Sequence, residues 1–435
     1  MIEDDTIAAI ATAAGVGGVG IVRLSGPRAI EIAQETFGAE LSREVHVGWA
    51  RDLRGERIDQ VLAFAMRGPK SFTGEDVAEL HGHGGAQNLS KLLASVVERG
   101  ARIAAPGEFT RRAVANGKLD LLRAEALLEV IHAGSDRAWR LAQENLAGQL
   151  GAYVGGLEGR ALRVLAEIEG SIDFPEDDLQ TQEAAWVETE LEAVRAGCAQ
   201  LADSFGHGRA TSHGITTALV GPVNVGKSSL LNALVGTERA LVAAEPGTTR
   251  DWLEVQTTWS GIAVTLIDTA GRRENADSVE RRGIELGEQR VTAADVVLVV
   301  NDGSATWDDG ARYEGRAIVV RSKADLGGEM RGALATSSTT GQGLDDLRAR
   351  VLSVAGVAET EGSEHAVVTT ARQQALAAGA RDAFAAALEV WRAKRPPEVL
   401  AVELRLGAQT LAQLRGVEVG ERVLDEVFAR FCIGK

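Results

Sequence analysis

The chain is 435 residues long, 45% apolar and 25% charged, which suits two or three globular domains, each with its own core. A net charge of −16 argues against a broad nucleic-acid-binding face, so any RNA contact has to be local or shared with a partner. Cys198 and Cys432 are the two cysteines, which excludes a disulfide scaffold and a cysteine-based zinc site and suits a reducing compartment.

The opening MIEDDT is acidic where a signal peptide is basic, and no apolar run approaches membrane-spanning length. The expectation is a cytoplasmic protein with no membrane span. Up to residue 119, short apolar runs alternate with glycine turns. This patterning predicts strands over 6–11, 20–24, 61–66 and 77–81 and helices over 28–37 and 89–99, a small α/β domain. Within it, GPKSFTGEDVAELHGHGG (68–85) reads as a loop that closes a turn or lines a polar pocket. His81 and His83, two apart with no cysteine nearby, read as turn or pocket wall ahead of a metal pair.

From Asp120 the pattern turns helical. Leu121, Ala124, Leu127, Leu128 and Ile131 mark one apolar stripe, and Val187, Leu191, Val194, Cys198 and Leu201 mark another, which places Cys198 in a core. Between them, SIDFPEDD (171–178) marks a bend at Pro175. An apolar run over 215–220 then leads into GPVNVGKSS (221–229). Strand, glycine loop and helix start are the setting in which G-x-x-x-x-G-K-S cradles phosphates, with Lys227 on the outer phosphates and the Ser228 hydroxyl on magnesium. The alternation over 253–259, the Ser260–Gly261 turn and the run over 263–267 predict a hairpin, hence one antiparallel pair in this sheet. Strands over 264–267, 296–300 and 318–321 end in Asp-Thr-Ala-Gly (268–271), Asn301-Asp302 and Ser-Lys-Ala-Asp (322–325). Those are carboxyl ends, where ligands bind in open α/β sheets. After residue 358 helices return over 367–391 and 400–414, and Leu424, Val427, Phe428 and Phe431 form a last stripe.

Helical material on both sides of a self-contained nucleotide domain implies an insertion. The expected domains are 1–119 (α/β), 120–213 and 359–435 (one discontinuous helical domain) and 214–358 (an inserted Ras-like P-loop domain). The nucleotide site draws on Asn224, Val225, Gly226, Lys227, Ser228 and Ser229. It draws also on Ala243, Ala244, Glu245, Pro246, Gly247, Thr248 and Thr249, on Asp268, Thr269, Ala270 and Gly271, and, around the base, on Ser322, Lys323, Asp325, Ser337 and Ser338. Thr249 offers magnesium a second hydroxyl, and Thr249 and Gly271 are placed to sense the γ-phosphate. A carboxylate at Asp325 can accept two N–H groups from guanine and finds no such pair on adenine, which favours GTP. Arg272 stands where Ras-like GTPases carry their water-orienting glutamine, so water and cation must be supplied elsewhere. Glu280 is a candidate for orienting the water. Cys432 is either a core residue or a thiol on a short tail.

Together these stretches resemble the MnmE/TrmE family of tRNA-modification GTPases over the whole chain. DTIAAIAT, GGVGIVRLSGP, SFTGEDVAELHGHGG and PGEFTRRAVANGKLDLLRAEAL resemble its amino-terminal region, GTTRD and DTAG its GTPase core, and FCIGK its carboxyl end. The resemblance implies a homodimer whose G domains meet across the nucleotide and use potassium in place of an arginine finger, held by Asn224, Ala243, Glu245 and Thr248, with Glu280 orienting water. It implies an amino-terminal dimerisation domain that takes a tetrahydrofolate derivative, in 5-formyl or methylene form, at Arg23, Glu79, Lys118 and Lys435, with Cys432 near that site as a candidate catalytic thiol. It further implies a hetero-oligomer with an MnmG/GidA-type flavoprotein, which brings FAD, and aminomethyl-type modification of the tRNA wobble uridine at C5. Ser322 departs from the family's usual asparagine. A regulatory GTPase of ribosome assembly is the competing reading; that class carries a basic RNA-binding module, and this acidic chain shows none.

Overall fold

The computed structural model describes residues 5–173, 181–236, 253–268, 289–303, 310–313, 315–328, 330–357, 366–417 and 419–434. The expected contributions of Ala243 to Thr249, Thr269 to Gly271, Glu280 and Lys435, and most of the 171–178 bend, lie outside them. The chain forms two compact units, Met1–Leu128 with Arg415–Lys435, and Glu129–Leu414.

In the first unit six strands, β1 (Ile7–Ile10), β2 (Gly17–Ser25), β3 (His46–Arg51), β4 (Arg57–Met66), β5 (Val77–Gly84) and β6 (Arg102–Ile103), form a sheet in the order β3-β4-β5-β2-β1-β6. Neighbours are antiparallel except β1 and β6. Helices α1 (Ala29–Phe37) and α2 (Ala86–Glu98) bury one face of it, Ile32, Phe37, Leu89 and Leu92 packing on Val22, Leu24, Val61 and Leu80. Three elements were not anticipated, the two-residue strand β6 among them. In β3 the usual alternation is inverted, with small Gly48 and Ala50 turned to the helices and Val47 and Trp49 exposed. Helix α3 (Glu108–Ala115) is held by Arg112, which is 2% exposed and bonded to Asp5, Glu75 and Glu108. The strand expected over 77–81 is present and runs on to Gly84, so the loop within 68–85 ends at Asp76. The carboxyl-terminal helix Glu421–Phe428 packs Phe428 and Phe431 against Leu121 and Ala124.

Helix α4 (Leu121–His132) corrects one expectation. Ile131 is 42% exposed while Glu125 and Glu129 are buried. A polar residue occupies the buried stripe because the Thr369 hydroxyl donates to Glu129 there.

The second unit joins helices to a second sheet. Helices α5 (Asp136–Ala147), α6 (Gln149–Asp173), α7 (Thr181–Asp203) and α8 (Phe205–His213) precede strand β7 (Ile215–Val220) and helix α9 (Lys227–Val235). Then follow β8 (Leu253–Trp259), β9 (Ile262–Asp268), β10 (Val296–Asn301), β11 (Ala317–Arg321), β12 (Leu334–Ala335), α10 (Leu344–Val354), α11 (Ala371–Arg392) and α12 (Pro397–Arg415). The sheet order is β12-β11-β10-β7-β9-β8, parallel except for the β8–β9 hairpin, as its turn chemistry predicts. The α7 stripe is buried, Cys198 at 0% exposure, and burial pushes that thiol's pKa up to about 12. Helix α11 starts at Ala371, four residues later than the apolar pattern suggests, because Thr370 and Gln373 form a capping box. Ion pairs at 2.7 Å from Arg392 to Glu188 and Glu192 tie α11 to α7. Among the described residues no helix is long and apolar enough to cross a membrane.

Candidate nucleotide site and amino-terminal cluster

The loop after β7 ends at Gly226, in the left-handed region at φ 95°, and α9 starts at Lys227 with no acidic residue in its first turn. Its exposed N–H groups and positive helix end face the carboxyl edge of the sheet, a natural seat for phosphate. Lys227 is 6% exposed and donates to the carbonyls of Gly221 and Pro222, both at 2.8 Å. Burial lowers its pKa, and the Asp268 carboxylate opposes that shift. Asp268, at the end of β9, accepts the Ser228 hydroxyl at 2.7 Å on one oxygen, while its other oxygen is buried with no partner among the described residues. A hydroxyl beside a half-satisfied buried carboxylate is the donor set a hard divalent cation takes, and here it sits beside the phosphate seat. Ser229 is exposed on the same helix.

Asn224 has φ 66° and is exposed; its backbone carbonyl accepts Lys323 Nζ at 2.9 Å, while its side-chain amide makes no bond among the described residues. Lys323 also donates to Asp302 at 2.7 Å. The buried Ser322 hydroxyl lies 2.6 Å from the Val225 carbonyl and 3.3 Å from that of Asn301, so its single proton is taken by the phosphate loop. Asp325 is exposed, with one oxygen accepting the Ser337 hydroxyl at 2.6 Å, and Ser338 is half-buried beside Ser337. The structure thus brings Asn224, Val225, Lys227, Ser228, Asp268, Ser322, Lys323, Asp325 and Ser337 to one edge of the second sheet. Sequence reasoning missed Asp302 as the partner that fixes Lys323; its position just past a strand's carboxyl end was the available signal.

In the first unit Arg23 and Glu79 face each other across β2 and β5, with Arg23 Nε donating to Glu79 at 2.7 Å. His81 lies 2.7 Å from the other Glu79 oxygen, a partner the sequence reading assigned to a turn or pocket wall. Burial opposes ionisation of Glu79, but the His81 hydrogen bond and the Arg23 charge outweigh it and hold the carboxyl below its ordinary range. His83 pairs with Asp59 instead, at 2.7 Å. Lys118 is exposed and donates to the Pro69 carbonyl at 2.9 Å, with no bond joining it to Arg23 or Glu79 among the described residues. Cys432 is exposed, and its carbonyl accepts the Gly107 N–H at 3.4 Å.

Comparison with known proteins now decides the family. Residues 121–432 match the family described as MnmE helical domain, and residues 6–118 match the GTP-binding protein TrmE N-terminus. The chain belongs to the MnmE family. Proteins named tRNA modification GTPase MnmE from Moorella thermoacetica and Symbiobacterium thermophilum are 39% and 40% identical over 99% of this chain and 100% of their own length. The MnmE of Synechococcus sp. strain CC9605 is 43% identical, with 100% of both chains covered. Among solved structures, the G domain of the T. maritima FeoB iron transporter is 28% identical over 32% of this chain and 98% of that chain, at a TM-score of 0.27. The architecture is that of an MnmE protein: a TrmE-type amino-terminal domain, a helical domain and a P-loop GTPase domain.

Proposed function

We propose that this chain hydrolyses GTP as a potassium-activated homodimer and, with an MnmG-type flavoprotein and a tetrahydrofolate one-carbon unit, modifies the wobble uridine of certain tRNAs at C5. As a member of the MnmE family it is a GTP-hydrolysing enzyme of tRNA modification; the cation, folate, partner and dimer are our reading. The observation that carries the nucleotide part is the pairing of Ser228 with a buried, half-satisfied Asp268 beside the Lys227 loop. Ser228 and Asp268 would hold magnesium, which neutralises charge on the β- and γ-phosphates when bound. Lys227 would exchange its two loop carbonyls for phosphate oxygens, and Asp325 would select guanine.

The Asn224 amide, unbonded among the described residues, supports potassium coordination, with Ala243, Glu245 and Thr248 as its proposed companions, Thr249 as the second magnesium ligand and Glu280 as the water-orienting group. Arg23 and Glu79, fixed in each other's grip, supply a rigid cation and anion for a folate ring and tail, with Lys118, Lys435 and Cys432 as its proposed further contacts. An exposed apolar face on the first sheet supports the dimer reading. The sheet face away from α1 and α2 exposes Val47, Trp49 and Leu62 at 66%, 39% and 44%, and Val47 and Leu62 are cross-strand partners. The domains proposed on this reading are 1–119, 120–213 with 359–435, and 214–358. Replacing sodium by potassium should raise GTP hydrolysis several-fold, and Asn224→Ala should abolish the difference. Equal rates in the two salts would overturn the potassium reading.

A further inference from the structure

We propose that Arg321 is a positioning residue for base selection: its guanidinium braces the turn that presents Asp325. This rests on the reading of Asp325 as the guanine-selecting carboxylate. Arg321 is the last residue of β11 and only 7% exposed. It sends its two terminal nitrogens to the carbonyls of Gly327 and Gly328, just past the short 3-10 turn Ala324–Leu326 that carries Asp325. Those glycines lie in the left-handed region at φ 83° and 91°, which L side chains rarely adopt, and that backbone turns both carbonyls toward the fork. A planar guanidinium meets the two carbonyls with two parallel donors in a fixed fork; an ammonium reaches them only from a single nitrogen on a flexible stem, and an apolar group offers no donor.

Among the described residues no carboxylate pairs with Arg321, so this buried charge is compensated through the turn's backbone. Gly327 and Gly328 are exposed, so removing the fork leaves their carbonyls to water and frees the turn. The same residue also anchors the second base loop, because its backbone carbonyl accepts the Thr336 N–H at 2.7 Å, while the Thr336 carbonyl takes the Ala324 N–H at 3.0 Å. Ser337, the next residue, holds the Asp325 carboxylate from the other side at 2.6 Å. Asp325 is therefore fixed twice, by Ser337 at its carboxylate and by Arg321 through its turn. Lys227 and Ser228 bond instead to Gly221, Pro222 and Asp268.

The test compares GDP with IDP, which lacks the 2-amino group and so one of the two donors Asp325 would accept. Dissociation constants for both, by calorimetry, are measured on the full-length wild type, Arg321→Met, Arg321→Lys and Asp325→Asn, with melting curves as a check on folding. Arg321→Met should lose about tenfold in GDP affinity, the scale of one charge-assisted hydrogen bond. Its IDP affinity should change far less, so that the preference for GDP collapses, and Arg321→Lys should fall between. An equal loss for both nucleotides, or an unchanged preference, would overturn the role of Arg321. If Arg321→Met fails to fold, Arg321→Lys carries the same comparison. Asp325→Asn separates the two levels: if it leaves the GDP preference intact, the guanine reading falls and this proposal with it. If it abolishes the preference while both Arg321 variants keep it, only the present proposal falls.

Discussion

Replacing Asp268 by asparagine probes the phosphate end of the site. In the free protein Asp268 is 6% exposed, with one oxygen on the Ser228 hydroxyl at 2.7 Å and the other unpartnered among the described residues. A buried polar oxygen left unpaired costs about 1–3 kcal/mol, and a charged one more. The nearby Lys227 charge offsets part of that cost. Asparagine keeps an acceptor for Ser228 and removes the unpaired charge, but leaves Lys227, among the described residues, with its two loop carbonyls. The two changes oppose each other, so free-protein stability should move by less than about 1 kcal/mol, a melting shift of no more than a few degrees. Nucleotide binding should respond more strongly. With magnesium present the variant should lose about 10–100-fold in GTP affinity, or roughly 1.4–2.7 kcal/mol. With EDTA the two proteins should bind alike. The assay is a nucleotide titration in both buffers. Equal weakening with and without magnesium, or none with it, would refute the assignment of Asp268 to the cation.

Further outcomes follow from packing and charge. Glu79→Gln should be destabilising at neutral pH. Because the folded carboxyl titrates below its ordinary range, its stabilisation is full above the unfolded pKa and is lost as pH falls through the folded one, so wild type and variant should converge in acid denaturation curves. One thiol should react with a thiol reagent in the native protein at pH 8, and two after denaturation. Cys432 is exposed, whereas Cys198 is buried with its pKa pushed up to about 12. Gly208→Ala should destabilise despite alanine's helix preference of about 1 kcal/mol. Its Cβ would fall 2.2 Å from the Val368 carbonyl oxygen and 2.6 Å from Val367 Cγ1, and overpacking of that kind costs about 1–3 kcal/mol, measurable by urea unfolding.

Much of this arrangement is legible before folding is considered. The phosphate loop, the hairpin after it and the polar residues at strand ends announce themselves because each depends on local backbone chemistry. The α7 stripe, Cys198 included, follows from spacing alone. What stays hidden depends on partners distant in sequence. Glu129 sits on a buried stripe because of Thr369, 240 residues away. His81 reads as a turn or pocket residue until β2 and β5 pair and place it with Arg23 on Glu79. Strand β3 carries its large apolar residues on the exposed face, which reverses the signal that alternation usually gives. Asp302 and Arg321 look like ordinary strand-end charges until the sheet brings their loops together.

The most direct test of tRNA modification is the nucleoside composition of tRNA from a strain lacking this protein, by digestion, chromatography and mass spectrometry. The C5 aminomethyl-type wobble uridine should disappear and return with the wild-type gene, but not with Lys227→Ala, which removes the proposed phosphate ligand. An unchanged wobble nucleoside in the deletion strain would contradict the proposed function.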